Sequence, residues 1–141
     1  MVSQPGPPAA TALAVAAGGA AGAALRCQLW RWWPDDTAGF PITTFAINVV
    51  GCFFFGVCIA PTLVAQSRSA AIAHPFFVFG VLGGFTTFSY FVVQGVRVTS
   101  PWLGLLYLSF TPIAAILAAL AGRASAVTVL RRTPLVKRRA P

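Results

Sequence analysis

Four stretches of this chain contain no Asp, Glu, Lys or Arg: Ala9–Leu25, Phe40–Ala65, Pro75–Val96 and Val98–Gly122. A helix that crosses the hydrocarbon core of a bilayer needs about 20 mostly apolar residues, and each stretch is of that order. Short polar breaks separate them: "RCQLWRWWPDDTAG", "QSRSAAIAH" and the single Arg97. A soluble domain needs a charged shell, which two acidic and ten basic residues among 141 cannot make. The pattern predicts an all-α integral membrane protein with four transmembrane helices. The first stretch is Ala-rich and ends in small residues, like a signal peptide. Met1–Ala10 has no Lys or Arg, however, so it counts as a real span.

The flanks fit this plan. Trp30, Trp32, Trp33 and Trp102 read as an aromatic belt at one interface. Residues 1–125 form the four-span unit, and residues 126–141, "AVTVLRRTPLVKRRAP", a basic cytoplasmic tail expected to be disordered. Its natural partner is the anionic lipid of the cytoplasmic face rather than nucleic acid. Cys27, Cys52 and Cys58 have neither metal-type spacing nor the even count of a disulfide framework. His74, just before Pro75, reads as interfacial. Asp35 and Asp36 share a loop, either solvated or capping a helix. No nucleophile constellation or phosphate-cradling loop occurs, so nothing supports an enzyme. The spans also lack a carboxylate, which a proton-driven transporter needs inside the membrane. Passive conduction is easier to build.

The polar residues within the spans are few. Asn48 lies near the middle of the second, with Thr44 four residues earlier on the same face. Its amide can glue helices together or donate to an anion. Phe88 and Phe91 share a face of the third span; they can pack, or turn positive ring edges toward an anion. Gly83 and Gly84 precede Thr86 and Thr87. The glycine pair can unwind the helix over Gly83–Thr87 and free backbone carbonyls. Equally, it can let two helices approach closely.

Together these features resemble the small fluoride channels called Fluc or CrcB. "GGAAGAALRC" (Gly18–Cys27), "TFAINVVGCFFFG" (Thr44–Gly56) and "GGFTTFSYF" (Gly83–Phe91) are similar, in order, to the family's first-, second- and third-helix patterns. The departures are Cys27 for an aromatic, Cys52 for Ser, Tyr90 for Thr and Gln94 for a frequent Glu. In the fourth span Tyr107 and Thr111 resemble the family's polar track, but Ala115 supplies no third hydroxyl and Pro112 introduces a kink.

The resemblance implies an antiparallel dimer with two fluoride pathways, each built from both subunits. Asn48 would donate to fluoride, Phe88 and Phe91 would line the route with ring edges, and the hydroxyls of Thr44, Ser89, Tyr107 and Thr111 would extend it. Arg26 would draw anions into a vestibule. Gly83 and Thr86 would hold a structural Na⁺, not transported, through main-chain carbonyls. The implied function is passive, fluoride-selective export across the cell membrane, which lowers fluoride toxicity. The runner-up is a tetraspan accessory or assembly subunit with no transport of its own.

Charge adds an expectation about orientation. An even number of spans puts both termini on one side with the second loop. That side holds Arg68, Arg123, Arg131, Arg132, Lys137, Arg138 and Arg139; the other holds Arg26, Arg31 and Arg97. Positive charge near span ends favours the cytoplasm, so the termini are expected there. A chain fixed one way needs an oppositely oriented homologue, which favours a heterodimer slightly over a homodimer.

Overall fold

The computed structural model describes residues 8–36, 38–60 and 70–132. All regular structure among them is helical, and four helical stretches are long and apolar enough to cross a membrane: Ala9–Trp32, Ile42–Ile59, Ile72–Arg97 and Pro101–Arg132. The chain is a multi-pass membrane protein.

The first span is α1 (Pro8–Trp32) and the second α2 (Ile42–Ile59). The third is composite. It begins as α3 (Ala70–Pro75), widens into a π-helical segment over Phe76–Leu82, and tightens into α4 (Gly83–Phe85). It breaks, then resumes as α5 (Ser89–Arg97). The fourth span is α6 (Pro101–Arg132). Its opening proline suits the first helical turn, where no N–H is needed.

In lipid there is no hydrophobic drive between helices, so close approach through small residues holds them together. A Cβ on Gly56 would run into the Ala119 carbonyl, and one on Gly122 into the Phe53 carbonyl, so α2 and α6 meet backbone to backbone. Gly22 meets the Val81 carbonyl in the same way, which seats α1 against the π-helical segment. Many large apolar side chains point outward, among them Leu13, Phe79, Ile116 and Leu117.

Three sequence expectations shift. The glycine pair does not unwind: Gly83 is helical, with φ −64° and ψ −37°, and the extended backbone begins at Thr86, with φ −74° and ψ 160°. Gly84 serves close packing instead, since a Cβ there would strike the Gly19 carbonyl of α1. The boundary expected at residue 125 is also passed, because α6 stays helical to Arg132. No glycine or proline interrupts "AVTVLRR", and 32 residues make a rod of about 48 Å, longer than the roughly 30 Å of hydrocarbon. The rest of the expected tail, residues 133–141, lies outside the described residues, as does Arg68. Finally, Trp32, Trp33 and Trp102 are exposed, as a belt requires, whereas Trp30 turns inward and donates to Thr44.

Candidate functional site

The break in the third span is built by its two threonines. Thr86 closes α4: its N–H and its hydroxyl both donate to the Leu82 carbonyl, at 3.0 and 2.9 Å. Thr87 starts α5, its hydroxyl accepting from the Tyr90 N–H at 3.3 Å. Between them the backbone is extended, so Thr87 has lost its helical partners. Asn48 of α2 replaces them. Its Nδ2 donates to the Thr87 carbonyl at 3.0 Å, and its Oδ1 accepts from the Thr87 N–H at 2.9 Å. An amide nitrogen carries two protons, and this bond uses one.

Asn48 faces a cleft of about 280 Å³, lined also by Cys52, Thr86, Thr87, Phe88, Phe91, Thr111, Pro112, Ala115 and Ile116. Phe91 is 7% exposed and Phe88 79%, their ring centroids 6.0 Å apart and tilted by 50°. Phe91 also packs on Tyr107, at 5.1 Å. Tyr107 and Thr111, one turn apart on α6, are 0% and 2% exposed, yet neither hydroxyl has a hydrogen-bond partner. A buried hydroxyl without a partner costs roughly 1–3 kcal/mol. The arrangement therefore sets the spare Thr111 O–H, one amide N–H and the Phe88 and Phe91 rings around one apolar-walled space, with the Tyr107 hydroxyl one turn away behind Phe91. That set can solvate a small anion or water, and no carboxylate or basic side chain lines the cleft among the described residues.

Other predicted residues lie elsewhere. Thr44 is fully buried but its single proton goes to Asp35 Oδ2 at 2.7 Å, while its oxygen accepts from Trp30 Nε1 at 3.1 Å. It has no proton left for an anion, which corrects its expected place in the pathway. Ser89 is exposed at the start of α5 and does not line the cleft. Arg26 is half-buried below the break, its Nη1 donating to the Thr86 carbonyl at 3.0 Å and its guanidinium 5.2 Å from the Trp30 ring centre.

Arg26 also bears on the implied sodium site. A carbonyl oxygen has two lone pairs, and Arg26 takes one at Thr86. In an unbroken helix the Thr87 N–H would serve the Gly83 carbonyl; here it turns to Asn48 instead. Gly83 is exposed, and a Cβ there would meet nothing within 4 Å. Gly83 thus faces outward beside freed backbone oxygen, a ligand of the kind a hard cation takes.

Sequence reasoning missed the anchorage of Asp35. Its Oδ1 accepts from the Thr43 N–H at 2.7 Å; its Oδ2 accepts from the Thr44 N–H at 3.0 Å and from Gln94 Nε2 at 3.0 Å. Capping was one of its two expected roles, but the reach to Gln94 has no local signal in the sequence.

Comparison with known proteins agrees in outline. A family profile described as "CrcB-like protein, Camphor Resistance (CrcB)" matches residues 13–123. "Fluoride-specific ion channel FluC 1" of Streptomyces coelicolor is 44% identical over 108 residues, 74% of this chain and 69% of the relative. "Fluoride-specific ion channel FluC 2" of Streptomyces avermitilis is 40% identical over 100 residues, 69% of this chain and 63% of the relative. The protein of that same name from Thermobifida fusca is 37% identical over 122 residues, 84% of this chain and 90% of the relative.

Proposed function

The chain belongs to the CrcB family, and on that premise we propose that it is a fluoride-selective passive channel that lets cytoplasmic fluoride leave the cell. The observation that carries this reading is the pair of partnerless hydroxyls of Tyr107 and Thr111, buried beside Phe91 and Asn48. A membrane protein has little reason to bury two unmatched donors along one helix face unless something passing through accepts from them.

Fluoride is small and strongly hydrated, so it enters only where donors replace its water. The Asn48 N–H, the two hydroxyls and the edges of Phe88 and Phe91 do this weakly and at several points, as conduction requires. Arg26 adds positive potential near the break without contacting the anion. No bond is made or broken, and no catalysis is needed.

The functional unit in this reading is an antiparallel dimer. Gly83 and Thr86 of each subunit would present four main-chain oxygens to a structural Na⁺, which supplies fixed charge at the dimer centre and is not carried. The uneven placement of basic residues favours a second, oppositely oriented homologous chain over a second copy, with this chain's termini in the cytoplasm. An accessory subunit without transport, the other reading, would tolerate Phe91→Ile; a fluoride pathway would lose most of its conduction. Fluoride efflux from liposomes carrying each form decides between them.

A further inference from the structure

We propose that Asp35 is a positioning residue for the loop-side mouth of the pathway, and that Gln94 is matched to it as a donor. The inference rests on the channel reading above and extends it to residues outside the cleft.

Asp35 leaves the loop after α1 and accepts four hydrogen bonds, from Thr43 N–H, Thr44 N–H, the Thr44 hydroxyl and Gln94 Nε2. A helix cap needs only the first two. The others tie separate spans together: the Thr44 oxygen accepts from Trp30 of α1, and Gln94 belongs to α5. Trp30 in turn lies between Tyr90, whose ring centre is 4.3 Å away, and the guanidinium of Arg26, which ends on the Thr86 carbonyl at the break. One carboxylate thus connects the loop, α1, α2 and α5, and its connections reach the backbone of the pathway itself.

Gln94 stands three residues beyond Phe91, on the same face of α5. Arg97 follows three residues later at the end of α5 and lines the same small cavity. As an amide it donates to Asp35. A carboxylate there would set two negative charges about 3 Å apart, which cannot both stay ionised without cost. The charged and titratable groups around this junction are Asp36, Tyr90 and Arg97, which line the same small cavity as Asp35 and Gln94, and Tyr107 of α6, which feels the Asp35 charge. Arg26 adds its charge through Trp30.

The test compares full-length wild type with Asp35→Ala, Gln94→Glu and the double exchange Asp35→Asn/Gln94→Glu. Thermal melting is followed from about pH 5 to about pH 8, a range in which a carboxylate raised by a like-charged neighbour loses its proton. Such a group stabilises the fold while protonated and ceases to as pH rises. Gln94→Glu should therefore lose roughly 5 °C of Tm toward the alkaline end, while wild type and the double exchange stay level. Asp35→Ala should melt lower than wild type at every pH. Fluoride efflux near neutral pH should fall roughly tenfold in Gln94→Glu, where two carboxylates push the junction apart, and recover to within about twofold in the double exchange, which leaves the junction with a single carboxylate. Gln94→Glu with a wild-type melting profile, or a double exchange no better than Gln94→Glu, overturns the proposal. Melting profiles as stated in a wild-type protein that conducts no fluoride would support the junction and count against the channel reading alone.

Discussion

The side-chain amide of Asn48 is paired at both ends with one residue's backbone, donating to the Thr87 carbonyl at 3.0 Å and accepting from its N–H at 2.9 Å. The pairing imitates a peptide-to-peptide contact. It lets the third span leave helical geometry at membrane depth without leaving a bare backbone group, which lipid does not tolerate.

Asn48→Leu should therefore lose two things at once. Both Thr87 backbone groups would be left buried and unmatched, at about 1–3 kcal/mol each, so the melting temperature should drop by 5 °C or more, roughly. Fluoride efflux should vanish with the second amide proton. A Leu variant with wild-type melting and wild-type efflux would remove Asn48 from both roles.

The hydroxyls on α6 should behave in the opposite sense for stability. Tyr107→Phe and Thr111→Val delete buried groups that have no partner, and replacing an unmatched polar group by an apolar one of similar shape is close to neutral or stabilising. Each variant should melt at or above the wild-type temperature, while efflux falls roughly tenfold, as expected for one lost hydrogen bond to a charged species. Full efflux in the Tyr107→Phe/Thr111→Val double variant would mean the track is not used.

The two glycines at the break separate packing from assembly. Gly84→Ala drives a methyl into the Gly19 carbonyl, so α1 must shift and the yield of folded protein should fall sharply. Gly83→Ala meets nothing within the chain. It should fold normally, but on the proposed assembly it should dissociate more readily as a dimer and need more Na⁺ for activity, because the methyl crowds the outward face on which the second subunit would pack. Size-exclusion profiles with and without Na⁺ check this; a Gly83→Ala protein that assembles and responds to Na⁺ like wild type contradicts the cation site.

How much of this was legible beforehand divides along physical lines. Four charge-free stretches and a bilayer of fixed thickness determine four spans, because length and apolarity are local properties. Asn48, Phe88 and Phe91 could be picked out because a polar or paired aromatic group inside hydrocarbon is conspicuous, and they line one cleft with Thr111. The break falls within the expected stretch Gly83–Thr87, at its threonine end. Gly83 and Gly84 looked like the weak point on propensity, yet they stay helical, and the chain opens at Thr86 because Asn48 captures Thr87 from another span. Thr44 was assigned to the pathway by its spacing from Asn48, which fixes the helix face but not the partner. The bond to Asp35 depends on how the preceding loop folds back, and no periodicity carries that.

Orientation gives a separate test. Residues 126–141 hold Arg131, Arg132, Lys137, Arg138 and Arg139, and each basic residue near an anionic leaflet contributes about 1 kcal/mol. A compartment-sensitive reporter at the C-terminus should stay cytoplasmic in the full-length chain and appear on both sides once residues 126–141 are removed. Equal labelling of both sides by the full-length chain would favour a homodimer.

The most direct measurement is fluoride efflux from liposomes carrying the purified protein together with the oppositely oriented subunit proposed for it, followed with a fluoride electrode beside a matched chloride experiment. Wild type should release fluoride passively, with no proton gradient and no measurable chloride release, and Phe91→Ile should lose most of that flux while remaining folded. Equal release of both anions, or a Phe91→Ile protein as fast as wild type, would contradict a fluoride pathway through the cleft between Asn48 and Thr111.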